Sequence, residues 1–385
     1  MNRSIGIHDI EIGTTHHVVD LADLAVARGV DPDKFRIGLG QDQMSFPAPD
    51  EDIVTMGAAA ARALLARTGA DGVRTLLFAT ESGIDQSKSA AVFAHGLLGL
   101  GADVRAVELK QACYAGTAAL QMALGIVARN PAEHVLIIAA DVARYALDSA
   151  GEPTQGAASV AMLVSADPAL LEIDPVSGVF TADVDDFWRP NDSSTALVDG
   201  KLSMSAYIDA LLGAWDDLQA RGGVTAADIA AFAYHQPFTK MAAKAQRRLA
   251  AHLGAELADD DLVAMSTYNR RLGNSYTASL YVALAALIDA RADLDGRRVG
   301  LFSYGSGSVG ELLTARVLPQ GGREDRSARV SRMLDARAPL PIAEYERLHA
   351  LSYPSGTDTE TPRTTTGPFR FAGIRGGARQ YEHIG

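Results

Sequence analysis

Short apolar runs alternate with longer amphipathic segments through most of the chain. Isoleucines at positions 5, 7, 10 and 12 stand among polar residues, which predicts a first strand. Continuous apolar runs predict further strands at 74–80, 134–140, 159–165, 229–234, 298–303 and 311–318. Alanine-rich segments of helical period predict helices at 53–67, 90–98, 116–129, 205–221, 238–253 and 276–289. Strands that are apolar along their whole length are typical of sheets covered on both faces, so the pattern predicts the α/β class.

Composition and charge narrow the class of protein further. The 385 residues correspond to two or three domains of ordinary size. The hydrophobic fraction of 48 % is too high for an intrinsically disordered chain. With 35 basic and 47 acidic residues the net charge is −12, which argues against a nucleic-acid-binding protein. The single cysteine, Cys113, excludes an intramolecular disulfide and a cysteine-based zinc site.

No segment has the pattern of a membrane span or of a secretory signal. The most apolar stretch, 278–288, is shorter than the roughly 18 residues that a spanning helix needs, and it predicts a buried helix instead. The first fifteen residues lack a basic segment followed by an apolar core. We therefore expect a cytoplasmic protein with no membrane partner.

Cys113 is the first candidate for catalysis, because it stands where an apolar run meets the predicted helix 116–129. The N-terminus of a helix would lower the pKa of this thiol and increase its thiolate fraction. The small residues Ala112, Ala115 and Gly116 would let a substrate backbone approach closely. An inert buried cysteine that packs as a small apolar side chain is the alternative.

Glu81 and His235 also follow predicted strands directly. Ligands of α/β proteins bind at the carboxyl ends of strands, where a desolvated glutamate can act as a general base and a histidine can polarise a carbonyl group. The structural alternatives are a helix-capping acid for Glu81 and a core or capping histidine for His235. Cys113 and His235 each lie between a strand and an alanine-rich helix, which indicates two halves of similar architecture.

Two further features concern ligand binding. Lys240, Lys244, Arg247 and Arg248 lie on one face of the predicted helix 238–253, which fits either a phosphorylated ligand or an ordinary solvated face. The glycine-rich segment 305–310 has the spacing of a dinucleotide-binding motif, but no βαβ unit follows it. Its backbone N–H groups either face an oxyanion or form a tight turn without chemistry. Motifs for metal binding do not occur, so we expect a metal-free mechanism.

The chain resembles the 3-hydroxy-3-methylglutaryl-CoA synthases, condensing enzymes of the thiolase superfamily, and in particular the bacterial enzymes of the mevalonate pathway. The blocks that carry this resemblance occur in the family's order, at 5–7 (IGI), 41 (Q), 52–57 (DIVTMG), 80–82 (TES), 85 (D), 88 (K), 111–115 (QACYA), 151–157 (GEPTQGA), 186–190 (DFWRP), 197–200 (LVDG), 235–241 (HQPFTKM), 268–270 (YNR), 273–277 (GNSYT) and 302–308 (FSYGSGS). So many ordered blocks make the resemblance highly specific.

The resemblance implies a role for each candidate. Cys113 is the nucleophile that accepts an acetyl group from acetyl-CoA, Glu81 removes a proton from the acetyl methyl group, and His235 orients and polarises acetoacetyl-CoA. The substrate-binding residues that it implies are Asn274, Ser308, Tyr145, Lys240 and Lys244. Backbone N–H groups of Cys113 and of residues 306–308 would stabilise the oxyanion. CoA esters are then substrates, and neither a cofactor nor a metal is required.

The same resemblance implies a thiolase-like fold of two pseudo-repeated α/β halves in five layers, and a homodimer. We expect an N-terminal half at 1–168, a C-terminal half at 169–320 with an inserted loop at about 180–204, and a C-terminal extension at 321–385 with no assigned function. Residues 355–366 have the composition of a flexible segment. The segment 83–86 and the residues after Cys113 are also similar to polyketide β-branching synthases, which act on acyl carrier proteins. That activity is the alternative function, and an acyl carrier protein is a partner only under it.

Overall fold

The computed structural model describes residues 3–193, 195–319, 322–354 and 356–384. Its strands are β1 (Ile5–Gly13), β2 (His17–Asp20), β3 (Gln43–Phe46), β4 (Val73–Ala79), β5 (Arg105–Leu109), β6 (His134–Ala143), β7 (Gly156–Ala166), β8 (Leu171–Ile173), β9 (Gly178–Thr181), β10 (Phe187–Trp188), β11 (Leu197–Val198), β12 (Ile229–Tyr234), β13 (Arg298–Gly305), β14 (Val309–Val317), β15 (Ala338–Pro339), β16 (Thr359–Glu360), β17 (Phe369–Arg375) and β18 (Ala378–His383). Its α-helices are α1 (Leu21–Ala27), α2 (Asp33–Arg36), α3 (Ile53–Thr68), α4 (Ala90–Leu98), α5 (Ala115–Arg129), α6 (Gly200–Ala220), α7 (Met241–Leu253), α8 (Asp260–Leu272), α9 (Ser279–Ala290), α10 (Arg323–Asp335) and α11 (Ile342–His349).

The largest sheet contains the same pairing pattern twice. Its order is β12-β13-β14-β8-β1-β7-β6-β4-β5, and β9 also pairs with β14. In the first half β4 is parallel to β6, β6 and β7 form an antiparallel pair, and β1 is antiparallel to β7. In the second half β12 is parallel to β13, β13 and β14 form an antiparallel pair, and β8 and β9 are antiparallel to β14. This repetition confirms the predicted pseudo-repeated halves.

Both faces of the sheet are covered, and two helices are enclosed between its halves. Along β6, Val135 and Ile137 pack in the cluster that contains α5, whereas Leu136 and Ile138 pack in the cluster that contains α3 and α4. Residues 279–288 of α9 are all buried, which confirms the predicted core helix. On the far side, α6 packs against β9 and β14. The order from α3 and α4 through sheet, α5 and α9, and sheet to α6 gives the five layers that were expected.

Capping residues explain why the helix bounds agree so closely with the sequence pattern. Asp52 caps α3 and forms a capping box with Thr55, and Ser89 caps α4. The same two helices end at Gly69 and Gly99, both with positive φ. Strand β5 and helix α8 were missed, because β5 has only five residues and two of them are charged, and α8 has charged residues in both of its terminal turns.

The described part of the C-terminal extension is structured and packs on both halves, with α10 against α9 and β17 against α3. Helix α11 lies in this extension, and β16, β17 and β18 form a small sheet. The prediction of flexibility for 355–366 is wrong over its second part. Glu360 pairs with Gly373, and the backbone N–H groups of Thr364 and Thr365 donate to the buried Asp50 carboxylate at 2.9 and 3.0 Å. Ser355 lies outside the described residues.

Two other predictions concern the bounds of the domains and the absence of a membrane-spanning helix. The predicted division at 168/169 falls in the connection between β7 and β8, while residues 320 and 321 lie outside the described part, so the three domain bounds stay predictions. Within the part of the chain that the structure describes, no helix is both long enough and apolar enough to cross a membrane.

Candidate active site

Glu81 lies two residues beyond the end of β4 and is 6 % exposed. Asp141 on β6 fixes the turn that carries it. The Asp141 Oδ1 atom accepts hydrogen bonds from the Thr80 hydroxyl at 2.7 Å and from the backbone N–H groups of Glu81 and Ser82 at 2.9 Å each. The Glu81 carbonyl oxygen accepts a further hydrogen bond from the Arg189 guanidinium. The backbone of Glu81 is therefore held at both its N–H and its carbonyl group, at the end of a buried strand.

Asp141 also joins the two halves of the molecule. Its Oδ2 atom accepts hydrogen bonds from the backbone N–H of Thr277 at 3.1 Å and from its hydroxyl at 2.5 Å. Thr277 lies just before the buried helix α9, while Glu81 belongs to the first half. One completely buried carboxylate thus sets the position of two loops that come from different halves.

Cys113 precedes α5, the central helix of the first half, and is half-buried. Ala112 beside it has φ +44°, in the left-handed region that non-glycine residues rarely adopt. Gly116 follows in the first turn of α5, where an added Cβ would lie 2.6 Å from the carbonyl oxygen of Thr277. The expectation that Gly116 admits a substrate is therefore wrong, since that space is taken by the backbone leading to α9.

The thiol of Cys113 lies 3.5 Å from Oε2 of Glu81. Burial, followed by the charge of Asp141, raises the pKa of Glu81 to about 8, and the charge of Arg189 opposes this shift. Burial also raises the pKa of the Cys113 thiol, and the charges of Glu81 and Asp141 raise it further. The predicted lowering of this pKa by the helix N-terminus is wrong, because burial of the thiol and the negative charges of Glu81 and Asp141 outweigh it.

His235 follows β12 directly and is 2 % exposed. Its N–H donates to the carbonyl of Phe302 at 2.9 Å, and its own carbonyl accepts from the Tyr207 hydroxyl at 2.8 Å. Burial lowers the pKa of its imidazole to about 3, so the ring is neutral at physiological pH. Because β12 occupies the position of β4 in the repeated pairing pattern, His235 corresponds to Glu81 in the other half, rather than to Cys113.

A cavity of about 260 Å³ brings four of the eight predicted site residues together. Cys113, His235, Asn274 and Tyr145 all line it. Aromatic residues form much of the remaining wall, namely Phe187, Tyr207, Phe238, Tyr276 and Tyr304. Glu81 lines a second, polar cavity of about 680 Å³ on the other side of the Cys113–Glu81 pair. The two cavities share Phe187 and Ser306, so the pair stands between an apolar and a polar chamber.

Asn274 and Tyr145 form one side of the apolar cavity. The Asn274 side-chain oxygen accepts a hydrogen bond from the backbone N–H of Tyr276 at 2.9 Å, and Asn274 is 1 % exposed. The Tyr145 ring packs edge-on against Phe187 at 6.2 Å between ring centroids. Burial raises the pKa of the Tyr145 hydroxyl, so it remains a hydrogen-bond donor at every physiological pH.

The glycine-rich segment between β13 and β14 differs from the expected oxyanion site. The N–H of Ser308 donates to the carbonyl of Ala182 at 2.7 Å, and the N–H of Gly307 donates to Asp186 at 2.8 Å. Those two donors are engaged within the protein, which contradicts the oxyanion role expected of them. Ser306 lines both chambers, whereas Ser308 is 1 % exposed and lines neither.

Three of the four residues of the predicted basic face line one cavity. Lys244, Arg247 and Arg248 line a third cavity of about 490 Å³, together with Lys201 at the start of α6. This cavity shares Met204 and Met241 with the apolar chamber, so a ligand could extend from one into the other. The Lys240 ammonium instead donates to the carbonyl of Ile37 at 3.0 Å, and Lys240 is not among the residues that line the cavity.

Several residues of the site were not predicted from the sequence. Asp141 directly follows the apolar run 134–140, just as Glu81 directly follows the run 74–80, so the same position after a strand could have identified it. Asp186 and Arg189 belong to the block 186–190, which was noted only for its resemblance to the family. Asp186 accepts hydrogen bonds from the Tyr304 hydroxyl and from Gly307 N–H, at 2.8 Å each. Lys201 gave no signal, because it lies 39 residues or more before the predicted basic face. Across the described ranges, no group of three or more His, Cys, Asp or Glu residues could hold a metal ion.

Comparison with known proteins agrees with this geometry. The sequence profile "Hydroxymethylglutaryl-coenzyme A synthase N terminal" matches residues 1–169, and the corresponding C-terminal profile matches 171–252 and 250–346. The hydroxymethylglutaryl-CoA synthase of Enterococcus faecalis is 42 % identical over 90 % of this chain and 92 % of its own length. The polyketide biosynthesis 3-hydroxy-3-methylglutaryl-ACP synthase PksG of Bacillus subtilis is 33 % identical over 90 % and 88 %.

Solved structures agree over nearly the whole chain. A crystal structure of an HMG-CoA synthase complexed with CoA superposes with a TM-score of 0.93 at 36 % identity, covering 99 % of this chain and 100 % of that one. MvaS in complex with 3-hydroxy-3-methylglutaryl coenzyme A superposes with a TM-score of 0.89 at 37 % identity, covering 100 % of both chains. The fold is thus thiolase-like, and the chain belongs to the hydroxymethylglutaryl-CoA synthase family.

Proposed function

We propose that this protein condenses acetyl-CoA with acetoacetyl-CoA and water, giving 3-hydroxy-3-methylglutaryl-CoA and CoA in the mevalonate pathway. The observation that carries the proposal is the 3.5 Å contact between the Cys113 sulfur and the Glu81 carboxylate, at a cavity that His235 also lines. A nucleophile, a base and a neutral hydrogen-bonding group are the parts that a Claisen-type condensation requires.

In the first step the Cys113 sulfur attacks the acetyl carbonyl carbon. The carbon–sulfur bond to CoA breaks, CoA leaves as its thiol with the proton from Cys113, and an acetyl thioester remains on the protein. The raised pKa of Cys113 means that the thiol resides in its protonated form until a base assists. Acetylation also removes the titrating sulfur from beside Glu81.

In the second step Glu81 removes a proton from the acetyl methyl group. The resulting carbanion attacks C3 of acetoacetyl-CoA and the C=O π bond breaks. The oxygen becomes the hydroxyl by gaining the proton that Glu81 had removed, which leaves Glu81 deprotonated again. A base with a pKa of about 8 is matched to this task near neutral pH, and the neutral imidazole of His235 can hold the carbonyl oxygen. Water then cleaves the Cys113 thioester and restores the thiol.

Coenzyme A esters, rather than carrier-bound chains, are the proposed substrates. Lys201, Lys244, Arg247 and Arg248 border the apolar chamber and suit the phosphates of CoA. The identity of 42 % to the Enterococcus enzyme against 33 % to the polyketide ACP synthase supports the same choice. The carrier-protein reaction remains the alternative that the assay below distinguishes.

We further propose a homodimer, a cytoplasmic location, and a reaction without metal or cofactor. Strand β5 lies at the edge of the large sheet, and Val107 on it and Met122 on the neighbouring α5 are exposed apolar residues that a second copy would cover. A catalytic thiol favours a reducing compartment. The α-proton of a thioester is acidic enough for a carboxylate base to remove it, so the reaction requires no metal ion or cofactor. Light scattering of the wild type and of Val107→Lys tests the dimer, and dialysis against EDTA should leave turnover unchanged.

The decisive assay follows acetoacetyl-CoA absorbance with acetyl-CoA present and identifies the product by mass spectrometry. Cys113→Ala should form no acetyl-protein. Glu81→Ala should still be acetylated on Cys113 but should not condense. Turnover with acetoacetyl carrier protein and none with acetoacetyl-CoA would replace the proposed function by the alternative, and normal condensation by Glu81→Ala would remove Glu81 as the base.

A further inference from the structure

The C-terminal extension reaches the back of the active-site wall through His349, the last residue of α11. His349 is 7 % exposed, and its Nε2 atom lies 2.9 Å from the carbonyl oxygen of Tyr145 and 3.2 Å from Oε1 of Gln155. Tyr145 lines the apolar chamber beside Cys113 and Asn274. An extension without an assigned function therefore contacts the backbone of a residue that faces the reaction.

The peptide groups of Tyr145 are held on both sides. Gln155 Oε1 accepts a hydrogen bond from the Tyr145 N–H at 2.8 Å, and the Tyr145 carbonyl oxygen is hydrogen-bonded to His349 Nε2. Both neighbours of His349 Nε2 are acceptors, so this nitrogen carries the proton and donates. Burial and the charge of Arg144 lower the pKa of His349, which keeps the imidazole neutral.

A buried chain of hydrogen bonds connects this pair to the rest of the extension. Gln155 Nε2 donates to the Tyr345 hydroxyl at 2.6 Å, and that hydroxyl donates to Glu152 at 3.0 Å. Arg28 binds Glu152 through two hydrogen bonds of 2.9 and 2.7 Å. Gln155, Tyr345 and Glu152 are each no more than 1 % exposed, so their arrangement has little freedom to change.

We propose that His349 is a positioning residue, which fixes Tyr145 against the apolar chamber and makes the C-terminal extension part of the active site. The ring of Tyr145 has little alternative space, because a Cβ added at Gly151 would lie 2.9 Å from it. Loss of the His349 bond lets the Tyr145 backbone shift, and small misplacements of groups around a reaction cost large factors in rate. The inference rests on the proposed function for its kinetic consequence, but not for its structural one.

The kinetic test is a double-mutant cycle on the full-length protein. His349→Ala should lower kcat/KM for condensation by about tenfold or more, and His349→Gln, which keeps a donor at similar reach, should recover most of the loss. In the Tyr145→Phe background, His349→Ala should cost much less than in the wild type. An equal cost in both backgrounds, or an unchanged kcat/KM in His349→Ala, would overturn the proposal.

A matched control separates positioning from general destabilisation. The Tyr353 hydroxyl of the same extension donates to the carbonyl of Pro49 at 3.0 Å, so Tyr353→Phe also removes one bond to a backbone carbonyl but does not touch Tyr145. Tyr353→Phe should leave kcat/KM unchanged. A loss in Tyr353→Phe as large as that in His349→Ala would assign the effect to stability and refute positioning.

Amide hydrogen exchange supplies a readout that does not depend on the reaction. In His349→Ala the peptide containing Tyr145 should exchange about tenfold faster, with recovery in His349→Gln and no change in Tyr353→Phe. Unchanged exchange at Tyr145 would overturn the proposal even if activity fell. If the wild type did not condense the CoA esters, the proposed function would fail, while the exchange result would still decide whether His349 fixes Tyr145.

Discussion

Replacing Asp141 by asparagine tests the junction between the two halves and the basicity of Glu81 in one variant. The substitution keeps the shape of the side chain and removes its charge. In the wild type the two carboxylate oxygens accept hydrogen bonds from Thr80, Glu81 and Ser82 on one side and from Thr277 on the other. An amide has one acceptor oxygen, so it can serve only one of these sides.

The cost to stability follows from that mismatch. With the amide oxygen towards the Glu81 turn, the N–H of Thr277 faces an NH₂ group, and a buried donor left unpaired costs about 1–3 kcal/mol. The three bonds on the other side lose their charge assistance, at about 1 kcal/mol each. A neutral amide is less costly to bury than a carboxylate, which offsets part of this. We expect Asp141→Asn to lower the free energy of unfolding by about 2–4 kcal/mol.

The effect on the pH profile has a definite sign. The charge of Asp141 is, after burial, the second cause of the raised pKa of Glu81. A general base acts in its deprotonated form, so the condensation rate of the wild type should rise with pH through the pKa of Glu81. Removing the charge lowers that pKa, and the rising limb of kcat/KM should move to lower pH in Asp141→Asn.

Urea unfolding and the pH dependence of kcat/KM measure the two effects. Asp174→Asn is the control, since Asp174 pairs with Arg298 and Thr314 at a distance from Glu81, and it should lower stability without moving the limb. A limb that stays in place, or moves to higher pH, in a folded Asp141→Asn variant would refute the electrostatic reasoning.

Three further predictions follow from the same site. Arg189→Met should shift the rising limb of kcat/KM to higher pH, because the charge of Arg189 lowers the pKa of Glu81, and a shift in the opposite sense would contradict this. His235, with a pKa of about 3, should give no titration step between pH 5 and 8 when its imidazole resonances are followed by NMR, and a midpoint near 6.5 would show the ring to be solvated. Lys244→Ala should raise KM for acetyl-CoA about tenfold and leave KM unchanged for acetyl-pantetheine, which lacks the nucleotide phosphates. Lys240→Ala should raise KM for acetyl-CoA less, because Lys240 binds the carbonyl of Ile37 instead. Equal effects of the two variants would show that the phosphates do not bind in the cavity that Lys244 lines.

Periodicity and capping determined most of the secondary structure before any tertiary information. The apolar run 229–234 is β12 to the residue, and the segment 90–98 is α4 to the residue, because Ser89 and Gly99 mark the ends of that helix. The helix after His235 was predicted to begin at residue 238, yet α7 starts at Met241, because a turn intervenes. Local signals cannot place such a boundary when the backbone is held by other elements, as Lys240 N–H is by the carbonyl of Leu39.

The candidate site was predictable as a set of residues but not as a set of environments. Glu81 and His235 follow from their positions at strand ends, Cys113 from its position before a predicted helix, and all three from the resemblance. Cys113 and Glu81 lie in contact, and His235 lines the same cavity as Cys113. The pKa of Cys113 was predicted with the wrong sign, since the sequence shows the helix that follows the thiol but neither the burial of the thiol nor the carboxylates near it.

The sequence by itself thus determined the class of fold, the repeated order of strands and helices, and which side chains can react. Tertiary structure alone decided which donors are free and what each side chain faces. The N–H groups of Ser308 and Gly307 donate to Ala182 and Asp186. The Lys240 ammonium donates to the carbonyl of Ile37. His349 binds the carbonyl of Tyr145, although the two residues are 204 positions apart in the sequence. Hydrogen bonds and charges act over a few ångströms in space whatever the separation in sequence, so their outcome is fixed only when the chain has packed.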